Sequence, residues 1–461
     1  MEPANIRFGG GAIETLLHPL VAVWMLIAAV LILTLPRKHV ITPLLFTVFL
    51  VPVGQVIMVG GLHFTVLRIL ILVGLVRRAM SSRLSSGETL PGGFNALDRV
   101  VVLWTLSSAI VFVLEWREMQ AFIAKLGELV DALGGYLVVR FLIPDGEAIR
   151  RTIKVLAVIC VIQGLCMINE HISHVNVFGI LGGINVGVTY RNGHIRAQGS
   201  LGNINAGVFG GVLVPLFVWL WTKGKSRAIA GAGVAGIVAM VFTCDSSTSI
   251  MAYGGSILGL GFWPLRKRMR LVRWGFALTL VALHLVMKAP VWALIARVDL
   301  TGSSSGWHRY MLVDKCIRHF NDWWLLGCKH YNDWGYLMFD MCNQFVFVAV
   351  LGGLVTLAVY IAIFSRAFAA IGTARKQVEG NRGQEWFLWC LGSTLFAHVL
   401  ASFGISYQAQ LLMALIPVLA CISVAAFEAR QTAQIVGTLD KVQFAAAPGA
   451  AGAFLPLGEA K

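Results

Sequence analysis

Charged side chains are scarce in this chain. Only 13% of its 461 residues are Asp, Glu, Lys or Arg, whereas 57% are hydrophobic, and mean hydropathy is +0.78. A single soluble core does not call for so much apolar side chain, so the soluble class is excluded. Short segments of alternating polarity are missing too, which excludes a closed transmembrane β-barrel. There is no Walker loop, no His-Glu-x-x-His and no Asp-x-Asp pair, which argues against ATP-driven, zincin-like and metal-dependent transferase chemistry. The eight cysteines follow no metal-ligand spacing, and His171 and His174 alone make no metal site. No metal or other cofactor is expected. An inverted repeat of the kind that marks many transporters is also absent.

What fills the chain instead is a succession of apolar runs near the ~20 residues needed to cross a hydrocarbon core. Roughly 13 spans are expected: 17–35, 40–59, 62–76, 99–115, 120–143, 152–170, 204–222, 228–244, 248–263, 272–289, 342–365, 386–403 and 408–428. The fold class is therefore an all-α polytopic membrane protein of about 12–13 transmembrane helices. Residues 1–430 form the membrane domain and 431–461 a mobile tail, whose Ala-Ala-Ala-Pro-Gly-Ala-Ala-Gly run reads as disorder. Loop 77–98, rich in Gly and Ser, is also expected to be mobile. Span 17–35 follows only Arg7 and has no small-residue cleavage site, so it reads as a first helix rather than a signal peptide.

The formal net charge of +15 suggests nucleic acid until its placement is examined. Lys and Arg gather in alternate loops: Arg37 and Lys38; Arg77, Arg78 and Arg83; Arg150, Arg151 and Lys154; Lys223, Lys225 and Arg227. The series continues through Arg266, Lys267, Arg268, Arg270 and Arg273, then Arg366, Arg375, Lys376 and Arg382. This is the positive-inside bias of a membrane protein, so no nucleic-acid partner is expected. It places the N-terminus and the long loops 171–203 and 290–341 outside, and the C-terminus in the cytoplasm.

Three groups of residues are candidates for chemistry. The first is Arg196 in Arg196-Ala-Gln-Gly-Ser-Leu-Gly-Asn-Ile-Asn205, with Arg191 five residues earlier. A guanidinium can bind a diphosphate bidentately, aided by backbone N–H groups of the Gly199–Gly202 turn and by the N-terminus of the next helix. A snorkelling interfacial arginine is the alternative. The second group is loop 290–341, where Arg309, Lys315, Arg318, Lys329 and His330 stand among Trp307, Tyr310, Trp323, Trp324, Tyr331 and Trp334. Cations interleaved with rings suit an anionic glycolipid; an interfacial aromatic belt is the alternative. Segment 306–320 reads as a helix, and the spacing of His308, His319 and His330 reads as chance because Gly327 interrupts it. The third group is charge inside spans or near their ends: Arg68, Arg140 and Lys125 with Glu128, then Asp245 and His398 near helix ends. Arg140 is expected to face a polar cavity, the others to be paired or to snorkel. Cys160, Cys166, Cys390 and Cys421 read as packing residues, and Cys316, Cys328 and Cys342 leave room for one disulfide.

The order of these pieces resembles the O-antigen ligase and O-antigen polymerase family. The family pattern is Arg-Ala-x-Gly-x-x-Gly-Asn-x-Asn before a helix, a Ser-rich helix start, and a long periplasmic loop with an early Arg. A Gly after an apolar pair and a His-Asn step into the next helix complete it. Here these fall on Arg196 to Asn205, Ser246-Ser247-Thr248-Ser249, Arg309, Leu325-Leu326-Gly327, and Cys342-Asn343 ahead of Gly352-Gly353. Cys342 stands where the ligases have His, the Arg after the Ser-rich start is absent, and Lys329 replaces a second glycine.

The resemblance implies a GT-C-like bacterial inner-membrane enzyme with a periplasmic N-terminus. It would polymerise or ligate glycan carried on undecaprenyl diphosphate, by metal-independent inverting transfer, alongside membrane lipid and other polysaccharide-assembly proteins. Arg196 and Arg309, with Asp340, are the expected catalytic residues, and Arg191, Gly202, Asn205, Lys329, His330 and Asn343 the expected substrate contacts. For the general base, Asp340, Asp314 and His330 are the candidates. A non-catalytic scaffold or a glycolipid transporter in the same machinery is the alternative function.

Overall fold

The computed structural model describes residues 14–84, 90–191, 193–222, 226–297 and 305–446. Helix α1 (Pro19–Thr34) begins on a proline, whose missing N–H costs nothing at that position, and turns back into α2 (Ile41–Leu50). The expected span 40–59 is thus helical for ten residues only. Pro52 holds Val51 extended, and the chain runs into an antiparallel hairpin, β1 (Val56–Val59) and β2 (Leu62–Thr65), turned on Gly60 and Gly61 at positive φ. Helix α3 (Val66–Leu84) follows directly. Helix α4 (Ala96–Trp116) starts on a capping box between Asn95 and Asp98. Helices α5 (Met119–Leu129) and α6 (Gly135–Leu142) are joined by a π-helical turn at Val130–Gly134.

The centre of the bundle is made by α7 (Gly146–Ser173), α8 (Asn203–Thr222), α9 (Arg227–Thr243) and α10 (Ser247–Gly261). Small residues bring α7 and α9 into backbone contact: a Cβ on Gly164 would lie 2.7 Å from the Gly236 carbonyl oxygen. Helix α11 (Met269–Val286) buries none of its residues, and beyond Arg270 and Arg273 in its first turns it is almost wholly apolar, as a helix facing lipid should be. Two short helices, α12 (Ser305–Arg318) and α13 (Phe320–Trp323), lead to α14 (Gln344–Gln377), α15 (Arg382–Ser402) and α16 (Ala409–Ala446). Every expected span contains a helix. Among the described residues, six helices are long and apolar enough to cross a membrane: Ala96–Trp116, Gly146–Ser173, Ile204–Thr222, Trp263–Val286, Gln344–Gln377 and Gln410–Ile435. The chain is an all-α polytopic membrane protein.

The expected tail 431–461 is helical as far as Ala446, and 447–461 lies outside the described residues, as do Lys223 and Lys225. In loop 77–98, α3 extends to Leu84 and α4 starts at Ala96, while 85–89 is outside the described residues. All eight cysteines are free thiols.

Interior charge is paired. Arg68 grips Asp131 of the π-helical turn through two bonds (3.1 and 2.6 Å), and Gly127 leaves room for the guanidinium. Lys125 pairs with Glu128, and His398 hydrogen-bonds the Tyr407 hydroxyl at 2.9 Å. Arg140 corrects its expectation. It is 0% exposed, its Nε lies 3.4 Å from Asp98, and its Nη2 donates to the Pro91 carbonyl at 2.7 Å. The Tyr136 hydroxyl donates to the same carboxylate at 2.5 Å. A buried polar knot, not a cavity, offsets part of the cost of this charge, while Nε and Nη1 make no hydrogen bond among the described residues.

Candidate functional site: a pocket of arginines and helix N-termini

A cavity of about 470 Å³ opens where α8, α10, α12 and the loops before α14 and α16 converge, and Arg191, Arg196, Gly202, Asn205, Arg309 and Asp340 all line it. These six residues come from segments separated by as many as 149 positions in the chain, from Arg191 to Asp340.

Arg196 ends a small hairpin, β3 (Thr189–Arg191) and β4 (His194–Arg196), in which Thr189 pairs with Arg196 and Gly193 makes the turn at positive φ. The arginine is only 7% exposed and its Nε donates to the Cys244 carbonyl at 3.2 Å. Burial, and next the charge of Arg191, pull its pKa below the usual value, yet a guanidinium stays protonated at any physiological pH. Arg309 lies in the first turns of α12, 6% exposed, with Nη2 donating to the Thr248 hydroxyl at 2.7 Å. Ser246 and Ser247 at the start of α10, and Gly202, Ile204 and Asn205 at the start of α8, bring two helix N-termini to the same cavity. Helix N-termini and guanidiniums both favour anions. Against this the cavity sets one carboxylate, Asp340, whose side chain is 64% exposed.

The turn after Arg196 departs from expectation. The Gly199 N–H donates to Glu170 at 3.0 Å and the Ser200 N–H to Gln163 at 3.4 Å, so neither is aimed at a ligand. Three expected contacts also fall outside the pocket lining. Asn343, 1% exposed, caps α14 by accepting from the Phe345 and Val346 N–H groups at 3.0 and 3.2 Å. Lys329 reaches the Trp116 carbonyl at 3.4 Å, and His330 is exposed. Asp314 is occupied by Arg318 (2.6 Å) and the Trp292 indole (3.2 Å). The two glycine signals, by contrast, meet. The Cys328 N–H donates to the Val350 carbonyl and the Leu354 N–H to the Trp324 carbonyl, both at 2.8 Å. The left-handed Gly327 and Gly353 (φ 83° and 71°) make this docking possible, since a Cβ on either would lie 2.6 Å from a backbone oxygen.

Sequence reasoning passed over His308 and the Gly404–Gln408 loop, both of which line the cavity. His308 stood directly before Arg309, but Asp340 and Gly404, which line the cavity with it, are distant in sequence. Its Nε2 lies 2.8 Å from the Asp340 carbonyl, which also accepts the Cys342 N–H at 2.8 Å. In the neutral ring Nε2 is then the donor and Nδ1 keeps its lone pair. Burial pushes the Cys342 thiol up to about 11, with Asp340 adding to it.

His308, Asp340 and Cys342 place their ligand atoms within 4.8 Å of one another, a donor set of a type that suits a soft dication. The electrostatics oppose one: three arginines line the same cavity, and Nε2 is committed to a carbonyl. The fold and pocket thus define a multi-pass membrane protein with a cationic cavity suited to a multiply charged anion. Comparison with known proteins finds no family model that matches the chain and no curated protein that matches it.

Proposed function

We propose that this chain is a bacterial inner-membrane glycan polymerase or ligase resembling the O-antigen ligase and polymerase family. It acts on oligosaccharide carried by undecaprenyl diphosphate at the periplasmic face. In this reading the chain crosses the membrane 12–13 times in a GT-C-like arrangement, with the N-terminus periplasmic and the C-terminus cytoplasmic, and works with other polysaccharide-assembly proteins. The observation that carries the proposal is the convergence of Arg191, Arg196, Arg309 and two helix N-termini on one cavity.

The chemistry is a single inverting displacement. An acceptor hydroxyl oxygen bonds to the anomeric carbon as the bond from that carbon to the diphosphate oxygen breaks, and the lipid diphosphate leaves with the electron pair. Arg196 and Arg309 neutralise the charge that grows on it, and Arg191 adds to their field. Loss of one such contact removes on the order of 3 kcal/mol of transition-state stabilisation. The acceptor's proton goes to Nδ1 of His308, which replaces Asp314 and His330 as base because it alone of the three lines the cavity. Asp340, whose carbonyl receives the Nε2–H, fixes the ring's tautomer and favours the imidazolium that forms. Asn205 and the Ser246–Ser247 start of α10 offer hydrogen bonds to the sugar. Cys342 has no role as a base.

Complementation of a deletion strain tests the reading. Arg196→Ala and Arg309→Ala should each fail to restore polymer, and normal polymer from both removes the enzymatic reading in favour of a scaffold. A ladder of chain lengths identifies a polymerase, a single capped lipid species a ligase.

A further inference from the structure

Arg196 owes its position to a clamp that the displacement chemistry does not use. Glu170, in the last turn of α7, is 0% exposed, and its two oxygens accept the N–H groups of Gln198 (2.9 Å) and Gly199 (3.0 Å). Two helical turns earlier, Gln163 donates to the Phe49 carbonyl at 2.6 Å and to the Ser200 hydroxyl, and that hydroxyl donates to the Phe49 carbonyl at 2.5 Å. Asn176, just beyond α7, donates to the Gly199 carbonyl at 2.9 Å. On the other flank the Ala197 N–H donates to the Thr243 carbonyl at 2.9 Å, next to the Arg196–Cys244 bond. Gly199 is obligatory in this arrangement: its φ is +57°, and a Cβ would lie 2.6 Å from the Gln163 side-chain oxygen.

A buried carboxylate is costly unless it is hydrogen-bonded, and here each of its oxygens accepts one backbone N–H. The same bonds remove those N–H groups from competition for an incoming anion. The anion is left to the guanidiniums and the N-terminus of α8. We propose that Glu170 is a positioning residue: by binding the Gln198 and Gly199 amides it aims Arg196 at the diphosphate and keeps the turn itself from serving as the anion site. This rests on the glycan-transfer reading for the identity of the diphosphate, and on the hydrogen bonds alone for the clamp.

The test uses full-length protein in detergent with inorganic pyrophosphate as the probe. Glu170→Gln turns an amide N–H₂ toward donors, so exchange of the Gln198 and Gly199 amides should accelerate while the rest of α7 stays protected. Pyrophosphate affinity should fall on the order of tenfold, the loss expected when one well-oriented contact is misplaced. The double variant with Arg196→Ala should bind no more weakly than Arg196→Ala alone, because residues acting as one unit are not additive. A purely structural carboxylate would instead lower the melting temperature and give losses that add. Should Glu170→Gln not fold, Glu170→Asp keeps the charge one methylene short and should give an intermediate loss. Wild-type affinity and unchanged exchange in the folding variant, additive losses, or a wild type that binds no pyrophosphate would each overturn the proposal. Pyrophosphate binding without polymer formation defeats the glycan reading and leaves the clamp standing.

Discussion

Nη2 of Arg309 donates to the hydroxyl of Thr248 at 2.7 Å, joining helix α12 to the N-terminal turn of α10. Thr248 is itself 0% exposed and donates to the Gly404 carbonyl at 3.2 Å, so the arginine is set by a three-part contact between separate elements. Thr248→Val keeps the shape and deletes the acceptor. It should weaken pyrophosphate binding on the order of tenfold, the worth of one charge-assisted hydrogen bond, and lower the melting temperature by a few degrees, since the Gly404 carbonyl loses its donor as well. An unchanged affinity would mean that Arg309 is positioned by other contacts.

His308 separates binding from turnover. His308→Gln retains a donor for the Asp340 carbonyl but cannot take a proton at Nδ1. Turnover should fall about 100-fold or more while pyrophosphate affinity stays at the wild-type level. Equal losses in affinity and turnover would make His308 a binding residue.

Cys342 gives a pH prediction. Its thiol is raised from 9.0 to about 11 in the fold. Between these values the unfolded chain releases the proton and the native chain keeps it, so the native state loses stability as pH rises from about 9 to about 11, with none lost below that window. Cys342→Ala should make that alkaline decline shallower in a melting series, Cys244 having the same shift, and leave turnover near pH 7 intact. Maleimide should react slowly with Cys342 at neutral pH, since the thiolate is the nucleophile. Loss of turnover in Cys342→Ala would give the thiol a role that its protonated state does not predict.

Asp98 tests the buried knot. Asp98→Asn removes the charge opposite Arg140 and should destabilise the protein by about 3–5 kcal/mol, measured by thermal unfolding in detergent. None of the residues in this knot lines the arginine pocket, so binding measured below the unfolding range should be unchanged.

Much of this was legible in the chain itself. Apolar runs separated by basic loops marked the long apolar helices, because hydropathy reports burial in lipid directly, but not α13 or the end of α16. The hairpin at Val56–Thr65 was not legible, since a short apolar stretch has the same hydropathy whether it is strand or helix. Arg196 and Arg309 stood out by their company of glycines, serines and aromatic residues, and the fold places both in one cavity. Asn343 misled: at a helix start an Asn beside a polar loop reads equally as a ligand contact or an N-cap. The partners of Arg140 and His308 were hidden because Asp98 lies 42 residues from Arg140 and Asp340 lies 32 residues from His308, distances only tertiary packing closes.

The central claim is that the buried guanidiniums of Arg196 and Arg309 act together on a departing lipid diphosphate. The most direct test is transfer of labelled glycan from lipid diphosphate by the protein reconstituted in vesicles. Arg196→Ala and Arg309→Ala are each expected to lower the rate on the order of 100-fold without lowering the melting temperature. Wild-type transfer rates from both variants would contradict the account.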